Sequence, residues 1–340
     1  MAGNFALHLL PPKELSTVLL CMTHIDRLFY SLCSKKCKDL VINLNLKAFQ
    51  VLVWFSSDFY MCLVLHDGEN LSISTDPENL GVSNLGAQQN LYMECEDQKL
   101  TFPRHQNFLS CREWLGHCME LYHIKYIATV TCNWNLFIFE QLRRILEGLQ
   151  IHVIEITSDV GAELAHGILS LHLQCKKVSI SVFNFGRMES LRKAMIQNAD
   201  NVFYQGCYFH LPIALDEFLL TNALHLAVSQ PIITGRDLNR FLKIWIRSPK
   251  QRLNTLKAEI VNQPDLNEIQ IMRGIYHTAI AQAELEENMR TYGYDLNGFE
   301  AMVNGGFNIR SRDGREATVS FIAGNQVSHV QFYVQFFVWN

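Results

Sequence analysis

The apolar positions change rhythm along the chain, and the changes mark its elements. Up to Leu44 they recur at three and four, the spacing of one helical face. Leu10-Pro11 stands just ahead of a helix carrying Leu15, Val18, Leu19 and Met22. A second helix carries Ile25, Leu28, Phe29, Leu32, Cys33, Leu40, Val41 and Leu44. Burial is worth about 25 cal/mol per Å² of apolar surface, so two short helices this greasy need the rest of the chain or another protein against them. The pattern leaves two readings open: a helical hairpin packed on its own domain, or a hook for a partner.

From Lys47 the rhythm alternates, and KAFQVLVWF, FYMCLVLH and NLSIST read as three strands, with Asp67-Gly68 turning between the last two. Residues 76–90, rich in Asn, Gly, Pro and Ser, read as a loop, and LYMECEDQKLTF as a further hairpin. From residue 107 a helix leads into repeated strand and helix. The strands begin near Tyr126, Ile151, Lys176, Asn201, Ala223 and Leu253, at intervals of 25, 25, 25, 22 and 30 residues, the mark of stacked supersecondary units. The helices between them show apolar faces at Leu136, Phe139, Leu142, Ile145, Leu146 and Leu149, at Leu164, Ile168 and Leu171, and at Met188, Leu191 and Met195. Thr234 and Asp237 are spaced as a helix cap and its return partner ahead of Leu238, Phe241, Leu242 and Trp245.

Strands joined through helices run parallel, and their alternation tells how many faces are covered. One parity holds Ala128, Val130, Ile154, Ile156, Val178, Ile180, Val182, Leu224, Leu226, Leu256 and Ile260; the other holds Thr129, Thr131, Glu155, Thr157, Ser179, Ser181, Gln205, His225, Ser229, Lys257 and Glu259. One sheet face is therefore wet, helices lie on the other, and the expected fold is α/β: a leucine-rich-repeat-like arc with a one-sided parallel sheet, flanked by antiparallel β-hairpins. The tail returns to hairpins at 307–312 and 316–322 around Asp313-Gly314, then Gly324-Asn325 turns into VSHVQFYVQFFVW. Such a block needs a partner sheet. Either the two ends of the large domain meet, or each caps one end of the arc.

Leu10-Pro11, the Leu15, Val18 and Leu19 stripe and SLCSKKCKDLV at 31–41 resemble an F-box, with Pro12 standing where an apolar residue is commoner. TGRDLNRFLKIWI at 234–246 and GGFNIRSRDGREATVSFI at 305–322 resemble the type 2 F-box-associated domain. The expected organisation is an F-box over 1–45 and an F-box-associated domain over 46–340, divided into hairpins (46–104), strand-helix repeats (105–290) and C-terminal hairpins (291–340). The resemblance implies a non-catalytic substrate receptor of a Skp-cullin-F-box ubiquitin ligase, cytoplasmic or nuclear. It would bind the Skp adaptor, and cullin through it, by Leu10, Pro11, Leu15, Val18, Leu19, Leu28 and Leu32. An unidentified target protein would meet the polar face at Thr129, Glu155, Ser181, Gln205, His225 and Lys257. The rival reading is a non-ligase interaction scaffold in which residues 1–44 only cap the large domain.

Composition narrows the alternatives. With 340 residues, 49% of them hydrophobic, the chain exceeds a single core. A net charge of −4 and a pI near 6.3 leave no broad basic field, which disfavours nucleic acid, and Arg310, Arg312 and Arg315 read as a solvated hairpin. Ten cysteines from Cys21 to Cys207 show no two-residue spacing, so reduced, buried thiols are expected. No secretory signal, lipidation motif or membrane span of about 18 apolar residues is read. Neither a Gly-x-Ser-x-Gly elbow nor a phosphate-binding Gly loop occurs, and Gly305-Gly306 reads as a cap and turn. Cys111, His117, Cys118 and His123 are the best metal candidates, but on one helix His117 points about 100° from Cys118. They are read as buried thiols and surface imidazoles; no metal or other cofactor is assigned. Lys35, Lys36 and Lys38 read as a wet helix side that could also meet an acidic adaptor rim, and Trp245 as core.

Overall fold

Consecutive prolines start the first helix. The computed structural model describes residues 10–56, 59–75, 90–95, 98–103, 110–133, 139–157, 160–170, 175–181, 192, 195–196, 198–204, 213–248, 252–261, 266–292, 304–326 and 329–339. Pro12 occupies the first position of α1 (Pro12–Cys21), where its fixed φ suits the helix and its missing N–H would have no partner in any case. The second expected helix is two: α2 (His24–Leu32) and α3 (Lys35–Ile42). Ser34 causes the break. Its extended backbone, φ −167°, ends the run, and its hydroxyl accepts the Cys37 N–H to start α3.

The chain forms two compact units, residues 1–154 and 155–340. In the first, β1 (Ala48–Phe55) pairs antiparallel with β2 (Phe59–Leu65) and, on its other side, parallel with β6 (Ile127–Cys132). Beyond β2 follow β3 (Asn70–Thr75), β4 (Asn90–Cys95) and β5 (Gln98–Pro103), antiparallel in that order. Asp67-Gly68 turns as expected, with Gly68 at φ 93°, where only glycine is unstrained. The loop expected at 76–90 lies outside the described residues, apart from Asn90, which opens β4. The helices α4 (Cys111–Leu121) and α5 (Phe139–Leu146) complete this unit, α4 starting in a Ser110–Glu113 capping box. Strand β7 (Ile151–Ile156) runs across the division.

In the second unit β8 (Lys177–Ile180), β9 (Asn201–Tyr204), β10 (His225–Ser229) and β11 (Thr255–Val261) are parallel neighbours in sequence order, their starts within two residues of those expected. β11 then pairs antiparallel with β15 (His329–Trp339), followed outward by β14 (Glu316–Gln326), β13 (Gly306–Arg310) and β12 (Thr278–Ile280). The neighbours of β1 are β2 and β6, and those of β15 are β11 and β14, so each end block extends the strand-helix run of its own unit. Gly306 is needed where β13 meets β14: a Cβ there would come within 2.4 Å of the Val319 carbonyl. Residues 293–303, where the helix capped by Gly305 was expected, lie outside the described residues, as do Leu136, Leu171, Met188 and Leu191.

Helices α6 (Ala162–Ser170), α7 (Leu215–Leu220), α8 (Gly235–Arg247), α9 (Glu268–Met272) and α10 (Gln282–Thr291) belong to this unit. α8 begins in the expected box: Thr234 Oγ1 accepts from Asp237 N at 3.2 Å, and Asp237 Oδ2 accepts from Thr234 N at 2.9 Å. Its Phe241 and Trp245 meet Phe336 of β15 edge-on, and Phe218 of α7 joins them. The expected alternation runs along β8–β11, where Val178, Ile180, Val202, Leu226, Val228, Leu256 and Ile260 are buried and the intervening positions are half-buried, apart from the buried Thr255. It does not hold everywhere. In β6, Val130, Thr131 and Cys132 are all buried, and over the tail Leu285 and Met289 of α10 cluster with Phe337 and Trp339, which share the parity of His225. Helices thus cover both faces of the second unit's sheet at the β14–β15 end, a departure from a one-sided arc. The cause lies in the sequence of β15, which carries large apolar side chains on both parities.

Candidate functional site

The helical module packs its apolar residues in two ways. Leu15, Leu19, Leu28, Ile25 and Val41 are buried, with Leu19, Ile25 and Leu28 at 0% exposure. These form the interior of their own unit, so Leu15, Leu19 and Leu28 offer no surface outward while this packing holds. Leu10, Val18 and Leu32 are half-buried and Pro11 is exposed. Pro11 and Val18, seven residues apart, lie along one side of α1 beside the buried Leu15–Leu19 row. Leu20, absent from the expected contact set, is 55% exposed. Its place next to Leu19, about 100° round the helix, takes it off the buried stripe.

Polar ties hold the module to the rest of the first unit. His24 Nδ1 lies 3.2 Å from Tyr122 Oη, and its Nε2 lies 2.8 Å from Asp67 Oδ2. Burial pushes the Tyr122 phenol up, keeping it protonated and able to donate, while the carboxylate accepts from Nε2–H. Burial also pushes the Asp67 carboxyl up, but the hydrogen bonds it accepts from His24 and from the Glu69 N–H outweigh it and hold the group below its usual range. Lys38 pairs with Glu120, and His123 Nε2 lies 3.2 Å from the Ile42 carbonyl.

His117 is the most perturbed imidazole. Its Nε2 lies 2.7 Å from Ser31 Oγ, and Ser31 donates to the Leu28 carbonyl at 2.6 Å, so the ring donates to the hydroxyl. Burial, reinforced by the Lys38 charge and only partly offset by Glu120, pushes its pKa from 6.5 down to about 4. The unfolded chain therefore binds a proton on this side chain at higher pH than the folded one. The contribution is whole above pH 6.5 and is lost as the pH falls towards 4. We expect up to about 3 kcal/mol of stability to go, reduced by solvent screening, as a decline in Tm between pH 7 and 4.5. His117→Asn should flatten that slope; an unchanged slope would rule His117 out as its source.

The polar side of the second unit's sheet is the other candidate surface. Lys177, Asn201 and His225 form one row, Ser179, Phe203, Ala227 and Lys257 the next, and Ser229 with Glu259 a third. His225 pairs with Thr255, its Nδ1 2.8 Å from Thr255 Oγ1, and not with Lys257, which sits two residues further along. Lys177 lies over the Phe203 ring at 4.7 Å, and Tyr333 donates to Glu259 at 3.3 Å. Of the six expected target contacts, Glu155, Ser181, His225 and Lys257 lie in this unit, half-buried; Thr129 belongs to the first unit, half-buried in β6; Gln205 lies outside the described residues.

Of Cys111, His117, Cys118 and His123, read as buried thiols and surface imidazoles, Cys118 is buried and His123 exposed as expected, but Cys111 is half-buried and His117 is buried, held by Ser31. Cys118 is fully buried, and burial pushes its thiol up to about 12, as it does for Cys132 and Cys175. Such thiols are poor nucleophiles at neutral pH. Among the described residues the metal-capable cluster is His24, Asp67 and Glu69. Sequence reading took Asp67 only as a turn residue, because no local spacing links positions 24, 67 and 69. Among the described residues no helix is long and apolar enough to cross a membrane.

Comparison with protein families gives two matches: an F-box domain over residues 7–49 and an F-box associated domain over residues 190–258. The first contains all of α1, α2 and α3; the second contains β9, β10 and α8, including the 234–246 segment, and stops short of 305–322. No curated protein and no solved structure matches the chain significantly. The chain thus carries a segment similar to an F-box domain and, further on, a segment similar to an F-box-associated domain, in the order that the sequence resemblance implies.

Proposed function

We propose that the chain is a substrate receptor of a Skp-cullin-F-box ubiquitin ligase, and that it contributes no catalytic residue. One observation carries this reading: the F-box match coincides with a helical module that keeps Pro11 exposed and Leu10, Val18 and Leu32 only half-covered. F-box domains generally bind the Skp adaptor, and cullin follows through it. The functional boundary falls near residue 45, although the helices share a compact unit with β1–β6. Leu10, Pro11, Val18 and Leu32 would touch the adaptor, while Leu15, Leu19 and Leu28 act behind them by keeping the helices packed.

Catalysis would then be by proximity, a target held at high local concentration near the charged conjugating enzyme. The half-buried polar rows of β8–β11 are the proposed target surface, with His225, Lys257, Glu155 and Ser181 among its contacts. Such a receptor works in the cytoplasm or nucleus. Incubating the chain with the Skp adaptor, cullin and the RING subunit tests the assignment: the chain should co-elute with cullin only when the adaptor is present. Failure to enter the assembly would leave the scaffold reading.

That second reading has its own observation, since His24–Asp67 and Ser31–His117 bind the helices to β-structure and to α4. Deleting residues 1–44 would expose this shared core and destabilise the first unit under either reading. Point variants on the accessible side are what separate them.

A further inference from the structure

We propose that His24, Asp67 and Glu69, with Cys95 as fourth ligand, bind a divalent transition cation of the zinc type that staples the start of α2 to the β2–β3 hairpin. His24 Nε2 lies 2.8 Å from Asp67 Oδ2 and 3.8 Å from Glu69 Oε2, and one donor atom from each of the three residues falls within 4.8 Å of the others. Cys95 Sγ lies 3.3 Å from Glu69 Oε2. Ligand bonds of about 2.0–2.3 Å place the corners of a tetrahedral zinc site roughly 3.3–3.8 Å apart. The His24, Asp67 and Glu69 donors are thus already gathered, whereas Cys95, which touches Glu69 but does not lie within 4.8 Å of all three, must close in as the ion binds.

The surroundings fit a ligand imidazole. The His24 side chain is 5% exposed, and Tyr122 Oη at 3.2 Å from Nδ1 supplies the outer contact that fixes which ring nitrogen faces the cluster. Binding moves the ring proton from Nε2 to Nδ1, where Tyr122 Oη accepts it, and frees the Nε2 lone pair for the ion. The Cys95 thiol releases its proton to solvent, so one proton leaves for each ion bound. The Asp67 and Glu69 side chains are 50% and 29% exposed, so the cluster can be reached from solvent on their side. An imidazole, a thiolate and two carboxylates suit zinc; magnesium and calcium require six or more oxygens.

The test uses the full chain, stripped with chelator and titrated calorimetrically with Zn²⁺, and with Mg²⁺ and Ca²⁺ as controls. One equivalent of Zn²⁺ should bind, with no heat from the other two, and at a hundredfold excess over Kd the Tm should rise by roughly 5–10 °C. Asp67→Asn combined with Glu69→Gln alters part-exposed residues at a hairpin turn and keeps their shape, so the metal-free protein should stay folded. This variant should lose at least about tenfold in zinc affinity, together with the Tm shift. In the Co²⁺-loaded chain, Cys95→Ser should abolish the thiolate charge-transfer band. Absence of zinc uptake by the parent chain, or equal affinity and Tm shift in the double variant, would overturn the site; an unchanged cobalt spectrum in Cys95→Ser would overturn the fourth ligand.

Discussion

Replacing Leu10 and Pro11 together by alanine is expected to abolish co-purification with the Skp adaptor while the chain stays folded. Pro11 is exposed, and its role in α1 runs through its carbonyl, which accepts the Leu15 N–H at 3.0 Å and would do so from alanine. Leu10 is half-buried, so truncating it removes little internal packing. A stability change of about 1 kcal/mol or less follows. At a protein interface the same two side chains would be anchors, and losing both should weaken binding by about 3 kcal/mol or more, at least a hundredfold in Kd. Leu19→Ala gives the contrasting result. Leu19 is fully buried, and its truncation should cost about 2–5 kcal/mol of stability, losing the adaptor only through unfolding of the module. Tm beside Kd for the two variants separates contact from support.

Trp245→Ala should be among the most destabilising single changes in the second unit. The side chain is fully buried, lies edge-on to Phe336 at 5.0 Å, and carries the Arg315 guanidinium 5.4 Å from its ring centre. It therefore clamps α8 to β15, and β15 holds β11 and β14 on its two sides. Truncating a buried tryptophan costs about 3–5 kcal/mol, a large share of a domain's stability. Trp245→Phe should cost clearly less, because it keeps an aromatic ring against Phe336 and removes an indole N–H that has no hydrogen-bond partner among the described residues. Denaturant melts of the three proteins test this order. Equal losses for Phe and Ala would mean that the indole's polar edge, and not its ring, holds α8.

Local rules made much of this legible. Strand starts from Ile127 to Thr255 followed from the spacing of apolar blocks, the turn at Asp67-Gly68 from backbone freedom, and the start of α8 from Thr234 and Asp237. What escaped depends on contacts between distant segments. Periodicity could not say that β1 would lie parallel beside β6, nor that α10 would cover the His225 parity once β15 presented Phe337 and Trp339. The helix break at Ser34 was a cap hidden inside an apolar rhythm. The candidate site divided in the same way. Leu15 and Leu19 were read correctly as one stripe, but a stripe does not tell whether its partner is the same chain, and here that partner is largely internal. The His24 cluster needed α2, a turn and β4 to converge, which no spacing encodes.

Calorimetric titration of the full chain with purified Skp adaptor tests the central claim most directly, because it asks whether the accessible side of α1 is an interface. A one-to-one complex that tolerates changes on the polar face of β10 and β11, and is lost in the Leu10 and Pro11 alanine variant, is the predicted result. No binding by the folded parent chain, or undiminished binding by that variant, would contradict the account.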